Sequence, residues 1–259
     1  MEPAKLKALL TALRPVAEEA GRATLAFYGA AEARTKADGS PVTQADEASE
    51  AVILPHLRTL TPDIPVISEE EASKGLSPTV AGSRFWLVDP LDGTKEFLSG
   101  NGEFTVNIAL IDQGVPVLGI VVAPALGETY WGAADAAFYA DKDGARPIHV
   151  RPVPPEGLVV VGSRSHGNAQ AMEEFLGGRK VAEFRPAGSS LKLCLVARGV
   201  ADLYPRFGPT MEWDIAAGHA ILRAAGGTVR TLEGAELCYG KPECRNPHFI
   251  AAGQEAPVH

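Results

Sequence analysis

The chain has 259 residues, of which 46% are hydrophobic, so it can bury one large core or the cores of two packed subdomains. Its 24 basic and 32 acidic residues give a net charge of −8, and no basic tract exceeds a pair, which argues against a nucleic-acid polymer as a partner. No apolar run approaches the roughly 18 residues of a membrane span, and the three cysteines form neither a disulfide framework nor a zinc pattern, so we expect a cytoplasmic protein.

The first half of the chain predicts two helices followed by a largely antiparallel sheet. Apolar residues at helical spacing predict a long amphipathic helix over residues 3–28, with Gly29 as its stop. Thr43 and Asp46 have the spacing of a capping arrangement that opens a second helix to about residue 60, in which Pro55 predicts a kink or an early end. The strands of the sheet are predicted at residues 64–67, 85–88, 105–111, 117–122, 129–131 and 137–140.

The Pro-rich segment at residues 151–157 is the best internal boundary. It divides the chain into an N-terminal α+β subdomain, residues 1–153, and a C-terminal α/β subdomain, residues 154–259. Strands and helices alternate in the second part, which favours an α/β arrangement there. The strands are predicted at residues 158–161, 202–204 and 249–251, and the helices at 168–176, 190–198 and 215–225.

Two carboxylates, Asp89 and Asp92, follow the predicted strand at residues 85–88. The Asp-Pro and Asp-Gly pairs predict that both lie in a tight turn, three residues apart. Taken alone, both residues are better explained as turn formers. Like charges that close repel each other unless a cation lies between them, and a hard divalent cation such as Mg²⁺ prefers oxygen ligands.

Two further carboxylates gain meaning beside this pair. Glu69 follows the strand at residues 64–67, and Asp214 precedes the helix at residues 215–225. An acidic loop is usually solvated, and Asp is common at helix N-termini, so neither residue alone indicates function. Strand ends and helix starts converge in α/β proteins, however, and three or four converging carboxylates are what a phosphatase site with several Mg²⁺ ions requires.

The chain resembles a known family at these residues. Three stretches resemble the signatures of the inositol monophosphatase superfamily: Glu69, the run Asp89-Pro-Leu-Asp-Gly-Thr94 and the run Trp213-Asp-Ile-Ala-Ala-Gly218. Members of that superfamily are Mg²⁺-dependent, lithium-sensitive phosphomonoesterases. The resemblance extends to the bacterial 3′(2′),5′-bisphosphate nucleotidase group of CysQ type at residues 36–43, 85–110, 163–166, 188–192 and 204–210. It covers nearly the whole chain in order and implies an α/β (α+β) fold layered as an αβαβα sandwich.

The resemblance also implies roles for individual residues. The Mg²⁺ ligands, for two or three ions, would be the side chains of Glu69, Asp89, Asp92 and Asp214 and the backbone carbonyl of Leu91. Asp46 and Thr94 resemble the pair that orients the nucleophilic water, and a hydroxyl linked to a carboxylate can relay a proton. The residues implied to face the substrate are Glu69, Leu91, Asp92, Gly93, Thr94, His166, Gly188, Ser189, Lys192, Arg206 and Asp214.

Substrate selection is expected in the second half of the chain. Lys192 and Arg206 are candidates for a second, non-reacting phosphate, with Arg164 open as an alternative to Arg206. His166, Gly188 and Ser189 resemble positions that face the adenosine and the ribose. Gly93 and Thr94 are expected to begin a short helix whose amides face phosphate oxygens. Lys36 is explained equally well as a solvated loop lysine or as a neighbour of an additional metal ion. The side chain of Glu212 is expected to point away from the substrate phosphate.

The implied activity is removal of the 3′-phosphate from 3′-phosphoadenosine 5′-phosphate (PAP) by metal-activated water, without a covalent enzyme intermediate, in the context of sulfur assimilation. The substrate is then a small nucleotide bisphosphate, and the sulfated nucleotide PAPS is left open as a second substrate. Three alternatives are an inositol monophosphatase, a broad sugar phosphatase and a non-catalytic metal- or nucleotide-binding regulator. A Rossmann-type oxidoreductase is set aside because no Gly-x-Gly-x-x-Gly follows a strand. The sequence does not decide between a monomer and a homodimer, nor whether the protein attaches peripherally to the inner face of the cell membrane.

Overall fold

Two large sheets and three helical layers organise the structure, a computed structural model that describes residues 1–29, 34–35, 41–78, 80, 83–163 and 169–254. The helices are α1 (Pro3–Leu25), α2 (Gln44–Leu60), α3 (Glu69–Ser73), α4 (Thr94–Ser99), α5 (Ala169–Leu176), α6 (Leu191–Ala197) and α7 (Glu212–Ala224). The strands are β1 (Arg34–Thr35), β2 (Pro41–Val42), β3 (Val66–Ser68), β4 (Arg84–Asp92), β5 (Thr105–Asp112), β6 (Val115–Ala123), β7 (Glu128–Ala133), β8 (Ala136–Asp141), β9 (Gly144–Ile148), β10 (Leu158–Gly162), β11 (Val181–Pro186), β12 (Leu203–Arg206), β13 (Thr228–Thr231) and β14 (Phe249–Ala252).

The first sheet has seven strands in the order β3-β4-β5-β6-β7-β8-β9. Only β3 and β4 run parallel, and every other neighbouring pair is antiparallel, which confirms the prediction of a largely antiparallel sheet. The second sheet has five strands in the order β11-β10-β12-β14-β13. β11, β10 and β12 run parallel to one another, and β14 pairs antiparallel with both β12 and β13. The second sheet is therefore mixed rather than purely parallel.

The helices cover these sheets in layers. α1 and α2 pack on one face of the seven-stranded sheet, where buried Leu13 and Ile53 join the cluster around Trp86. α6 and α7 lie on its other face and share one large core with the five-stranded sheet, including Cys194 and Ile221. α5 packs on the outer face of the five-stranded sheet. The resulting order of helix, sheet, helix, sheet and helix confirms the predicted layered sandwich.

The structure corrects several local predictions. α2 continues through Pro55 to Leu60 instead of ending early, and its start at a capping box of Thr43 and Asp46 is confirmed. α7 begins at Glu212, three residues earlier than predicted, because Asp214 bonds back to the amide of Met211 from the third position of the helix. Six of the described helices and strands were not predicted from the sequence: α3, β1, β2, β9, β11 and β13.

Three other observations bear on the sequence predictions. In the described part of the chain, no helix is long and apolar enough to cross a membrane. Cys194 is fully buried, and all three cysteines are free thiols. The two sheets divide between residues 148 and 158, but α7 from the second part packs against β4 to β7 of the first, so the subdomain boundary near residue 153 stays a prediction.

Candidate active site

A β-bulge at the end of β4 presents Asp89 and Asp92 on one side of the sheet. Asp89 lies opposite Asn107 and Asp92 opposite Thr105, so three steps along β4 match two steps along β5. Pro90, inside this stretch, has no amide hydrogen for the ladder, which suits a bulge. The tight turn predicted here is therefore wrong, because the strand continues to Asp92 in bulged form. The two carboxylates nevertheless leave the regular ladder at this point, and the Leu91 amide donates to Asp89 Oδ1 at 3.0 Å.

Glu69 and Asp214 reach the bulge from two other elements. Glu69 is the first residue of α3, directly after β3, which pairs with β4. Its charge raises the pKa of Asp89, so the two carboxyl groups lie close together. Asp214 lies in the first turn of α7, where the Met211 amide donates to its Oδ2 at 2.8 Å. The chain thus brings together the four predicted acidic residues from β4, α3 and α7.

The carboxyl groups of this cluster disturb one another electrostatically. Burial and then the charges of Glu69, Asp92 and Asp214 raise the pKa of Asp89 well above its ordinary value. Burial and then the neighbouring Asp92 do the same to the pKa of Asp214. Burial also raises the pKa of Asp92, but the Lys192 ammonium and the Ser190 amide limit the rise to about 6. Ionised together, these groups repel, which is the electrostatic situation that a divalent cation relieves.

The chemistry of these oxygen atoms fits Mg²⁺, but their arrangement is not that of a preformed metal site. Carboxylate oxygens and a backbone carbonyl are the ligands that this hard cation prefers. Within the described ranges, however, no three acidic, histidine or cysteine side chains already stand in the spacing of a metal cluster. The metal-ligand roles of Glu69, Asp89, Leu91, Asp92 and Asp214 therefore stay predictions.

The two residues of the predicted water-orienting pair each lie in the first turn of a helix, α2 for Asp46 and α4 for Thr94. Asp46 is 1% exposed in the first turn of α2, and burial raises its pKa to about 6 even though Thr43 donates to it through both its amide and its hydroxyl. Glu69 and Glu70 raise the pKa of Asp46 further, which places it close to α3. Thr94 is the first residue of α4, as predicted, after Gly93 with φ +92°. The recorded hydrogen bonds of Asp46 in the described part of the chain run to Thr43, so the Asp46–Thr94 pairing stays a prediction.

A polar cavity of about 230 Å³ opens beside the cluster. Residues from both halves of the chain line it, including the predicted residues Asp92, Gly93, Thr94, Ser189, Lys192, Arg206 and Asp214. Asp214 also faces a second cleft of about 790 Å³, which Glu69 lines as well. The predicted residue Gly188 lies to the side, where its amide donates to Glu103 Oε2 at 2.8 Å and its α-carbon packs against Glu96 and Glu103.

The two candidate phosphate-binding cations differ in what they already contact. Lys192 is 5% exposed, and its ammonium donates to the carbonyl oxygens of Ser189 at 2.6 Å and Ala187 at 3.3 Å. Burial lowers the pKa of Lys192 to about 8. Arg206 donates through Nη2 to the Pro209 carbonyl at 2.9 Å, while its buried Nε has no partner in the described part of the chain. Arg206 therefore retains a donor for a ligand, and Lys192 is largely committed to the protein.

Some predicted residues fall outside this description, and one contact was missed. Lys36, Arg164 and His166 lie outside the described residues. Glu212 is fully buried and accepts hydrogen bonds from the amides of Gly240 and Lys241, so its carboxylate is held away from the cavity. Sequence reasoning assigned no role to Ser190, which lines the same cavity as Asp92 and whose backbone lowers the pKa of that carboxyl group. Its place inside the run Gly188-Ser-Ser-Leu-Lys192 was the only signal.

Comparisons with known proteins give concordant results. The sequence profile of the inositol monophosphatase family matches residues 5–256. The chain is 50% identical over 238 residues to a 3′(2′),5′-bisphosphate nucleotidase CysQ of Escherichia coli O157:H7, covering 90% of this chain and 95% of that protein. Among solved structures, CysQ of Bacteroides thetaiotaomicron superimposes with a TM-score of 0.80 at 35% identity, covering 96% of this chain and 98% of the other. An inositol monophosphatase of Anabaena gives a TM-score of 0.74 at 28% identity, with coverages of 96% and 91%.

Proposed function

Because this chain belongs to the inositol monophosphatase family, we propose that it is a Mg²⁺-dependent phosphatase that removes the 3′-phosphate of PAP. Members of the family are generally Mg²⁺-dependent. The 50% identical relative from Escherichia coli is named a 3′(2′),5′-bisphosphate nucleotidase, and its match covers 90% of this chain. The products are AMP and inorganic phosphate, with PAPS as a second possible substrate to be tested.

One observation carries the proposal: four carboxyl groups from three elements lie close together beside a cavity that two cationic side chains also line. Glu69, Asp89, Asp92 and Asp214 supply more negative charge than their surroundings neutralise. Lys192 and Arg206 line the same cavity as Asp92 and Asp214. A site that offers carboxylates to cations and cationic side chains to an anion suits a substrate with one reacting and one non-reacting phosphate.

The residues support a division of labour in the reaction. Glu69, Asp89, Asp92, Asp214 and the Leu91 carbonyl would hold two or three Mg²⁺ ions. When bound, these ions lower the pKa of water and neutralise phosphoryl charge. Asp46 titrates near pH 6, so at neutral pH it is mostly ionised and can accept a proton, with the Thr94 hydroxyl as its proposed relay.

Substrate selection is assigned to the C-terminal part, residues 154–259, and most metal binding to residues 1–153. Arg206 is assigned to the second phosphate, because it lines the cavity and its guanidinium can hold phosphate with two parallel hydrogen bonds. Ser189 lines the cavity next to it. These contacts would favour a nucleotide bisphosphate over a substrate with a single phosphate.

A phosphate-release panel tests the proposal. Purified protein is supplied with PAP, PAPS, 3′-AMP or inositol 1-phosphate, with Mg²⁺ or without it, and with lithium added in a parallel series. We expect Mg²⁺-dependent release that lithium inhibits, with the highest kcat/KM for PAP. A higher kcat/KM for inositol 1-phosphate would overturn the substrate assignment. Calorimetric binding of PAP without any phosphate release would instead favour a regulator.

A further inference from the structure

Ser190 connects the candidate metal site to the strand behind it. Its backbone lowers the pKa of the nearby Asp92 carboxyl group, and both residues line the same cavity. Its side chain is buried, with 3% of the residue exposed. Its hydroxyl donates to Asn107 Oδ1 at 2.8 Å and lies 2.9 Å from Thr105 Oγ1. Ser190 therefore uses its backbone toward the site and its side chain toward β5.

The partners of the Ser190 hydroxyl lie directly across from the acidic residues. Thr105 is the ladder partner of Asp92, and Asn107 is the ladder partner of Asp89. Both are buried, with exposures of 0% and 1%. The hydroxyl thus spans the two β5 positions that face the bulge, where the regular ladder no longer fixes the β4 backbone.

The segment before Ser190 is held tightly as well. The Gly188 amide donates to Glu103, and a Cβ at position 188 would lie 2.6 Å from the Glu103 carbonyl oxygen. Ser189 has φ +44°, a left-handed conformation that a residue other than glycine adopts only when its surroundings enforce it. The chain therefore enters Ser190 from a constrained direction.

We propose that Ser190 is a positioning residue, whose hydroxyl network with Thr105 and Asn107 ties the start of α6 to the β5 residues opposite Asp92 and Asp89 and so orients the Asp92 carboxylate for a cation. The inference rests on the proposed function, because it assumes that Asp92 is a Mg²⁺ ligand. Hydrogen-bond partners behind a metal ligand fix its orientation, and their loss typically weakens metal affinity or activity about 10- to 100-fold. If the Ser190 hydroxyl only attached α6 to the sheet, its removal would leave the affinity for Mg²⁺ unchanged.

Four variants separate the two roles. Ser190→Ala removes the hydroxyl, Thr105→Val removes its partner with little change of shape, and Thr105→Ser keeps that partner. Thr61→Val is the matched control, because the Thr61 hydroxyl is also buried, accepts from Trp86 Nε1 at 2.9 Å and donates to the Leu57 carbonyl at 3.0 Å, among residues that do not line the cavity. Urea unfolding of each variant measures the purely structural loss.

Direct Mg²⁺ titration by calorimetry, without substrate, is the decisive measurement. We expect Kd for Mg²⁺ to rise about 10-fold in Ser190→Ala and Thr105→Val, and to stay within about twofold of the wild-type value in Thr105→Ser and Thr61→Val. If Ser190→Ala does not fold, the Thr105→Val and Thr105→Ser pair decides by itself. Wild-type Mg²⁺ affinity in Ser190→Ala or in Thr105→Val would overturn the inference.

The same titration distinguishes the two proposals. A wild-type protein that binds Mg²⁺ but releases no phosphate from PAP would overturn the proposed substrate, while the variants would still test Ser190. A wild-type protein that binds no Mg²⁺ would overturn both. Phosphate release measured over a Mg²⁺ series should show the same displacement of half-saturation in Ser190→Ala as the binding isotherm.

Discussion

Arg206 and Lys192 line one cavity, but only Arg206 keeps a buried donor without a partner in the described part of the chain. We therefore predict that Arg206→Gln raises KM for PAP about 10-fold or more, which corresponds to one lost hydrogen bond to a charged group. KM for 3′-AMP, which lacks the 5′-phosphate, should stay nearly the same. Steady-state phosphate release with both substrates measures this difference. Equal increases in KM for the two substrates would show that Arg206 does not contact the second phosphate.

Lys192→Met is the comparison for that experiment. The Lys192 ammonium is bound to two carbonyl oxygens and lowers the pKa of Asp92. Its removal should therefore disturb the acidic cluster and reduce kcat with PAP and with 3′-AMP to a similar degree. The sequence predicted both cations as phosphate ligands, because it shows charge but not how much of a donor's capacity the backbone already uses.

The sequence predicted those helices and strands that follow from the local pattern of apolar and capping residues. α1, α2 and the longer strands follow from apolar periodicity and from the Thr43 and Asp46 capping arrangement. β11 was missed because five of its six residues are exposed, so it carries no apolar signal. The bulge at Asp89–Asp92 was taken for a turn, because Asp-Pro and Asp-Gly are turn pairs and only the register with β5 shows that the strand continues.

The two glycines that flank α4 give a matched test of how this element positions Thr94. Gly93 and Gly100 both have left-handed backbones, with φ +92° and +73°. A Cβ at position 93 would lie 3.3 Å from Glu96 Oε2 and 3.4 Å from the Glu103 carbonyl oxygen, whereas nothing lies within 4 Å of one at position 100. Each alanine substitution should destabilise the fold by roughly 1–2 kcal/mol through its backbone conformation.

Gly93→Ala should in addition lower kcat by about 10-fold or more, since small displacements of catalytic groups are costly. Gly100→Ala should keep the wild-type kcat. Urea unfolding and phosphate release on both variants check the two expectations. A Gly93→Ala protein with full activity would show that the start of α4 does not position a group needed for turnover.

The raised pKa values of the clustered carboxyl groups link the stability of the folded protein to pH and to metal binding. Asp46 and Asp92 titrate near pH 6 in the folded protein against 3.8 ordinarily, and the pKa values of Asp89 and Asp214 are raised as well. Between these values the folded state binds more protons than the unfolded chain, so its stability falls as pH rises. His219 acts in the opposite direction, because burial lowers its pKa from 6.5 to about 3.

Four carboxyl groups outweigh one imidazole, so the urea midpoint of the metal-free protein should fall as pH rises from about 4 to about 6. Mg²⁺ binds only the ionised carboxylates and should therefore stabilise the protein much more at pH 6 than at pH 4. Asp92→Asn removes one of the repelling charges together with a metal ligand. We expect this variant to show a shallower fall without metal, little stabilisation by Mg²⁺ at pH 6 and almost no phosphate release. A wild-type response of Asp92→Asn to Mg²⁺ would contradict the metal assignment, and a midpoint that rises over this range in the metal-free protein would contradict the electrostatic account of the cluster.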